Sequence, residues 1–181
     1  IDLFSIDVRA LATLRIGLGV LIILDLINRS RHLTMHYTDA GILPREVLIE
    51  KPIYNFFISI HLFSGELIFQ IALFLIAGIF ASMLILGYKT KLSVIISWIL
   101  LISLQTRNPM VGQGGDILFR MLLFWAIFLP MDKAAWSIDS KTKNRESFGK
   151  KIFSVGCIGL FLQVIYVYIF SFFSKTGIEY L

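Results

Sequence analysis

Between Gln105 and Arg120 the chain reads QTRNPMVGQGGDILFR, a polar, glycine-rich interruption in an apolar sequence. Asp116 and Arg120 are four residues apart, so on a helix they sit one turn from each other and can pair. Asp116 also suits the first turn of a helix, where a carboxylate accepts backbone N–H groups that have no helical partner. Gly114-Gly115 lets another backbone approach closely, and its N–H groups can face an anion. The structural alternative for Asp116 and Arg120 is a capped helix whose arginine is neutralised inside a membrane.

Other residues invite chemistry more weakly. Lys175 follows the aromatic run YVYIFSFF. It is either an interfacial lysine marking a helix end, or a partly buried amine whose pKa falls until it serves as a base. His32 and His36 share a helix face and, with Asp39, have the spacing of metal ligands. The stretch ends in the turn Asp39-Ala40-Gly41, has no glutamate between the histidines and offers no fourth ligand, so no metal is assigned. Ser-His-Asp spacing, a phosphate loop and a dinucleotide fingerprint are all lacking from the sequence. Cys157, the single cysteine, sits in an apolar block and reads as a small packing residue.

The elements that must position these residues are membrane helices. Of 181 residues 57% are hydrophobic and only 16% charged, against about 25% charged in soluble domains. The apolar residues fall into blocks in series, predicting an all-α, polytopic transmembrane bundle with spans near 10–27, 62–86, 92–104, 117–131 and 152–173. The chain opens on Ile1 and stops just after an apolar block. It is therefore expected to be the N-terminal part of a longer protein, with residues 1–181 as one transmembrane domain.

Span one carries Arg15 and Asp25, which either face protein or snorkel toward opposite surfaces. Its Gly17 and Gly19 would admit a neighbouring helix. Glu66 and Gln70 lie one turn apart on span two. Spans three and four are short, roughly 20 and 22 Å at about 1.5 Å per residue, so the loop between them is expected below the surface of a bilayer whose core is about 30 Å thick. Asp132–Lys151 reads as an exposed basic loop. The net charge of +5 follows from basic residues flanking the apolar blocks, which points to membrane orientation and not to nucleic acid. With five spans, nine basic residues fall on the side of the N-terminus and six on the other, so the N-terminus is expected to be cytoplasmic. The Asp39 loop, the glycine-rich loop and Lys175 then share the opposite side.

Six short elements, taken together and in order, resemble one family. They are DVRALATLRIGLG at Asp7–Gly19, YTDAGILPR at Tyr37–Arg45, HLFSG at His61–Gly65, LGYKTKL at Leu86–Leu92, RNPMVGQGGD at Arg107–Asp116 and SKTGIEY at Ser174–Tyr180. The chain resembles the HTTM (horizontally transferred transmembrane) domain of vitamin K-dependent γ-carboxylase-like proteins. Carboxylases of that family oxidise vitamin K hydroquinone with O₂, and the strong base that results lets CO₂ add to a peptide glutamate. The resemblance implies that Lys175 is the base that deprotonates the quinol, and that Arg107 and Asn108 join Gly114, Gly115, Asp116 and Arg120 as binding residues. It implies a reduced quinone as cofactor and a secreted peptide as partner beside the lipid bilayer. Where the carboxylases proper carry an asparagine-histidine pair, this chain has Gly114-Gly115-Asp116, like the bacterial branch. That places it in a bacterial cell membrane, and makes a non-catalytic protein assisting maturation, export or immunity of a secreted peptide the alternative. A transporter lined by Arg15, Asp25, Glu66 and Arg120 is a third reading. A shared quinol pocket predicts Lys175 within about 10 Å of Gly114–Asp116.

Overall fold

The computed structural model describes residues 5–50, 59–139 and 151–175. Among the described residues seven α-helices carry the fold: α1 (Val8–Ser30), α2 (Leu33–Tyr37), α3 (Arg45–Glu50), α4 (Leu67–Leu86), α5 (Thr90–Arg107), α6 (Gly114–Ile127) and α7 (Val155–Lys175). Three of them are long and apolar enough to cross a membrane: α1, α4 and, over Val155–Phe173, α7. The long helices alternate in direction, each packing on the next. Gly19 of α1 lies against Ala81 and Ile85 near the far end of α4. Trp98 of α5 donates to the Arg120 carbonyl of α6 at 3.1 Å, and Gln163 of α7 donates to the Leu118 carbonyl at 3.3 Å. Gly156 and Gly159 set the α7 backbone against Trp125.

The expected all-α class needs one amendment. Ser5–Asp7 (β1) pairs antiparallel with Lys151–Phe153 (β2), with Ile6 opposite Ile152. Two such short segments carry no periodicity to read, because each finds its pairing partner only across the whole chain. Helix boundaries also differ. The second apolar block begins as a helix only at Leu67, after a 3₁₀ turn at Ile60–Leu62. The fourth expected span starts earlier, as α6 at Gly114, and stops at Ile127, ahead of Pro130.

The middle helix α5 is eighteen residues long. It is not among the three span candidates because its sequence is polar: Ser93, Ser97, Ser103, Gln105 and Arg107 are all buried. Its neighbours hide these groups, so its hydropathy understates how deeply it lies in the bundle. An apolar core made largely by α1, α4 and α5 runs from Leu11 and Leu18 through Ala81 and Leu84 to Leu101 and Leu104.

The turn between α4 and α5 shows what the buried Arg15 does. Helix α4 ends at Gly87 in the left-handed conformation, φ 71°, which favours glycine. A Cβ there would also collide with the Arg15 guanidinium. Arg15 is fully buried. Its Nη1 donates to the Leu84 and Ile85 carbonyls at 2.8 and 2.9 Å, and its Nη2 to the Trp136 carbonyl at 3.1 Å. Arg15 therefore does not snorkel; it supplies donors to carbonyls at the end of α4. On the other side of the turn, Asp139 accepts from the Lys89 and Thr90 N–H groups at 3.0 and 2.8 Å and from the Thr90 hydroxyl at 2.7 Å. This cap for α5 is borrowed from fifty residues away. The expected exposed loop Asp132–Lys151 holds in part over residues 132–139: Trp136 and Ile138 are exposed, whereas Ala134 and Ser137 are buried, and Ser137 donates to the Gly87 carbonyl. Residues 140–150 lie outside the described residues.

Hydrogen bonds from a charged donor contribute roughly 1.5–3 kcal/mol each, and Arg15 makes three. The variant Arg15→Leu is expected to lower unfolding stability in detergent by on the order of 3 kcal/mol or more. Thermal unfolding within a degree of the parent protein would show that the cap is dispensable.

Candidate functional site

At the opposite end of α1, charged residues meet. Arg29 lies on the last turn of α1, four residues after Asp25, and its Nε donates to both Asp25 oxygens at 2.8 and 2.9 Å. Its Nη2 reaches Asp116 Oδ1 at 2.7 Å and its Nη1 the Tyr37 hydroxyl at 3.0 Å. The Arg29 side chain is only 8% exposed. One planar guanidinium with five donors thus holds α1, α2 and α6 together, a task that lysine cannot perform with the same geometry. Asp116 is shared: its other oxygen accepts the Gln113 N–H at 3.0 Å and closes a capping box at the start of α6. Burial pushes the Tyr37 phenol pKa up, with Arg29 opposing, so Tyr37 stays protonated.

A second latch lies beside the first. Asp39 follows α2 in the turn closed by the Gly41 N–H on the Thr38 carbonyl. It pairs with Arg45 at 2.7 Å and faces Arg107, fully buried, at 3.5 Å. Arg107 donates to the Leu43 carbonyl at 2.9 Å, and Asn108 to the His36 carbonyl at 3.1 Å. Arg45 also reaches the Phe63 carbonyl at 2.9 Å. The loop after α1 is therefore strapped across the loop after α5, as expected if both belong to one end of the bundle.

Between these latches and the core sits His61, buried on the 3₁₀ turn before α4. Its Nδ1 is 2.7 Å from Ser103 Oγ, which also accepts the His61 backbone N–H at 3.1 Å. Gln70, fully buried, donates to the His61 and Ser64 carbonyls. Phe74 packs edge to face on Tyr37 and on His61, with centroids 5.6 and 6.2 Å apart, and Tyr37 and His61 are tilted to each other at 6.5 Å. Burial, with Arg107 adding to it, pushes the His61 pKa down to about 4. Asp25, His61 and Ser97 line an otherwise apolar cavity of about 10 Å³, room for one water-sized sphere. Pockets for quinol-sized molecules hold roughly 300–1,000 Å³, so this cavity cannot hold a quinol.

Asp116 and Arg120 do not form the isolated pair that their spacing allows. The carboxylate of Asp116 is held by Arg29, while Arg120 Nε donates to Gln105 Oε1 at 2.9 Å with Asp116 close enough to add a favourable field. Gly114 and Gly115 are exposed, and a Cβ on either would meet nothing within 4 Å; no close backbone approach is needed there. Arg107, Asn108, Asp116 and Arg120 are thus brought together with the turn that carries the two glycines. Lys175 ends α7. Twelve residues separate it from Gln163, which touches Leu118 of α6; that is roughly 18 Å of helix. The expected Glu179-Tyr180 tail lies outside the described residues. Glu66, expected to share a face with Gln70, stands just outside α4 at its N-cap position, with no side-chain capping bond. Among the described residues no three His, Cys, Asp or Glu side chains are grouped as for a metal ion. His32 and His36 stack edge to face, 5.9 Å between centroids.

Arg29, Tyr37, Gln70 and Ser103 were not singled out from the sequence as partners of the site. For Arg29 a signal existed, since Asp25 and Arg29 have helical pair spacing inside an apolar stretch. Compared with known protein families, with curated proteins and with solved structures, the chain matches none.

His61 gives the pH test. Its folded pKa is depressed, so the neutral ring stabilises the fold fully above the unfolded value near 6.5, and that contribution is lost as pH falls toward about 4. Stability measured from pH 7 to 4 is expected to fall less steeply in His61→Gln than in the parent. Parallel pH curves for the two proteins would mean that His61 is not held neutral by its site.

Proposed function

We propose that the chain is a multi-pass membrane protein that engages a secreted peptide at the end of the bundle built by Arg29, Asp39, Arg107 and Asp116. The observation that supports this reading is an open ledge on a braced frame. Gly112, Gln113, Gly114 and Gly115 are exposed between Met110, 80% exposed, and Ile117, 63% exposed. Ion pairs fix the residues on either side of them. A rigid turn with bare backbone and flanking apolar side chains suits an extended peptide, whose backbone can approach where no side chain stands in the way. In this reading α5 and α6 also cross, making five crossings, with the N-terminus cytoplasmic in a bacterial membrane and the ledge outside.

The resemblance to the HTTM domain favours a second, fuller reading. There the peptide glutamate is carboxylated in a quinol-linked reaction, and Lys175 is the base that takes the quinol proton. The position of Lys175 at the very end of an aromatic helix suits an amine at the membrane boundary. The absence of family, curated or structural matches leaves that chemistry resting on the sequence elements alone.

Two variants separate these readings. In nanodiscs, Gly115→Phe is expected to weaken binding of a fluorescent glutamate-containing peptide at least about tenfold with unchanged thermal stability, because the new side chain projects into open space. Unaltered peptide binding would remove the ledge from consideration. Lys175→Ala should leave peptide binding intact. If the carboxylase reading holds, it abolishes incorporation of labelled CO₂ supported by vitamin K hydroquinone. Absence of incorporation by the parent protein would leave only the binding role.

A further inference from the structure

A long apolar groove runs along α4 beside α1, with one mouth where α1 gives way to α2. It is lined on α4 from Leu67 through Gly78 to Leu86, and on α1 and α2 by Ile27, Ser30, Leu33 and Thr34 among others. Since it follows all twenty residues of α4, it is roughly 30 Å long, the thickness of a hydrocarbon core. No charged side chain lines it.

The groove offers about 810 Å³ of space, apolar along the thickness of a hydrocarbon core, and an acyl chain fits along it. The hydroxyl-bearing Ser30 and Thr34 line the end where α1 gives way to α2, and the exposed Arg31 and His32 lie between them in sequence. Apolar length with a cation and hydroxyls at one mouth is complementary to an amphiphile whose head is negative.

We propose that this groove is a site for an anionic phospholipid, with an acyl chain along Gly78 and Leu75 and the phosphate at Arg31, Ser30 and Thr34. The inference does not rest on the peptide-binding reading. A bound anionic lipid would brace α1 against α4 from outside and help hold α1, and with it Arg29, in place.

The test is native mass spectrometry of the full chain, delipidated and then equilibrated with equal amounts of phosphatidylglycerol and phosphatidylcholine. One phosphatidylglycerol should be retained per protein, favoured about five-fold, the preference expected from one basic residue near the headgroup. Gly78→Phe should lose the lipid without loss of thermal stability, since a Cβ at Gly78 meets nothing within 4 Å. Leu75→Trp, at a position 63% exposed, provides the same reading should that variant fold poorly. Arg31→Gln should keep lipid but abolish the headgroup preference. Equal retention of both lipids by the parent, or undiminished retention by both groove-filling variants, would overturn the proposal, as would a protein dimer in place of bound lipid.

Discussion

A guanidinium at the end of an apolar helix must bring its partners with it, and the arrangement around Arg29 follows from that requirement. A charge removed from water is costly unless it is paired and hydrogen-bonded. Arg29 meets the demand with two carboxylates and a phenol, drawn from its own helix, from α2 and from α6. Each partner is in turn committed. Asp116 caps α6, and Tyr37 packs on His61 and Phe74. Position at one end of the bundle is therefore set by directional bonds. In lipid this matters more than in water, because apolar surface alone gives helices little reason to prefer one register over another.

The other end of α1 solves a related problem by a different route. Arg15 donates to three backbone carbonyls. Helix ends expose carbonyls that need donors, and at that end water is kept away by Ala134 and Ser137. A single helix thus carries one arginine that closes the end of α4 and another that gathers α2 and α6. Between them lie small and apolar residues, including Gly19, that let α4 come close. Such buried ionic groups are better understood as fixing which contacts form than as raising overall stability.

Much of the helical content was legible because long apolar blocks have few alternatives. The close approach at Gly19, the turn at Asp39 to Gly41 and the meeting of the Asp39 and glycine-rich loops were all legible too. The helix-start role of Asp116 followed from residue type alone. What escaped was long-range. The partner of Asp116 is eighty-seven residues away, and the cap on Thr90 comes from Asp139; spacing along one helix says nothing of either. The β1–β2 ribbon escaped for the same reason. The polar serines of α5 masked how central that helix is, because hydropathy reads composition and not enclosure. Lys175 was chosen through resemblance, and nothing in local physical chemistry distinguishes it from an ordinary lysine at a helix end.

The central claim is that Arg29 and Asp116 are energetically coupled and that this coupling holds α6 to α1. A double-mutant cycle of Arg29→Gln and Asp116→Asn, read from unfolding free energies in detergent, tests it directly. The account predicts a coupling of about 1–3 kcal/mol, as for residues that share one hydrogen-bond network. Strict additivity of the two substitutions would contradict it, and would reduce the cluster to charges that merely lie near one another.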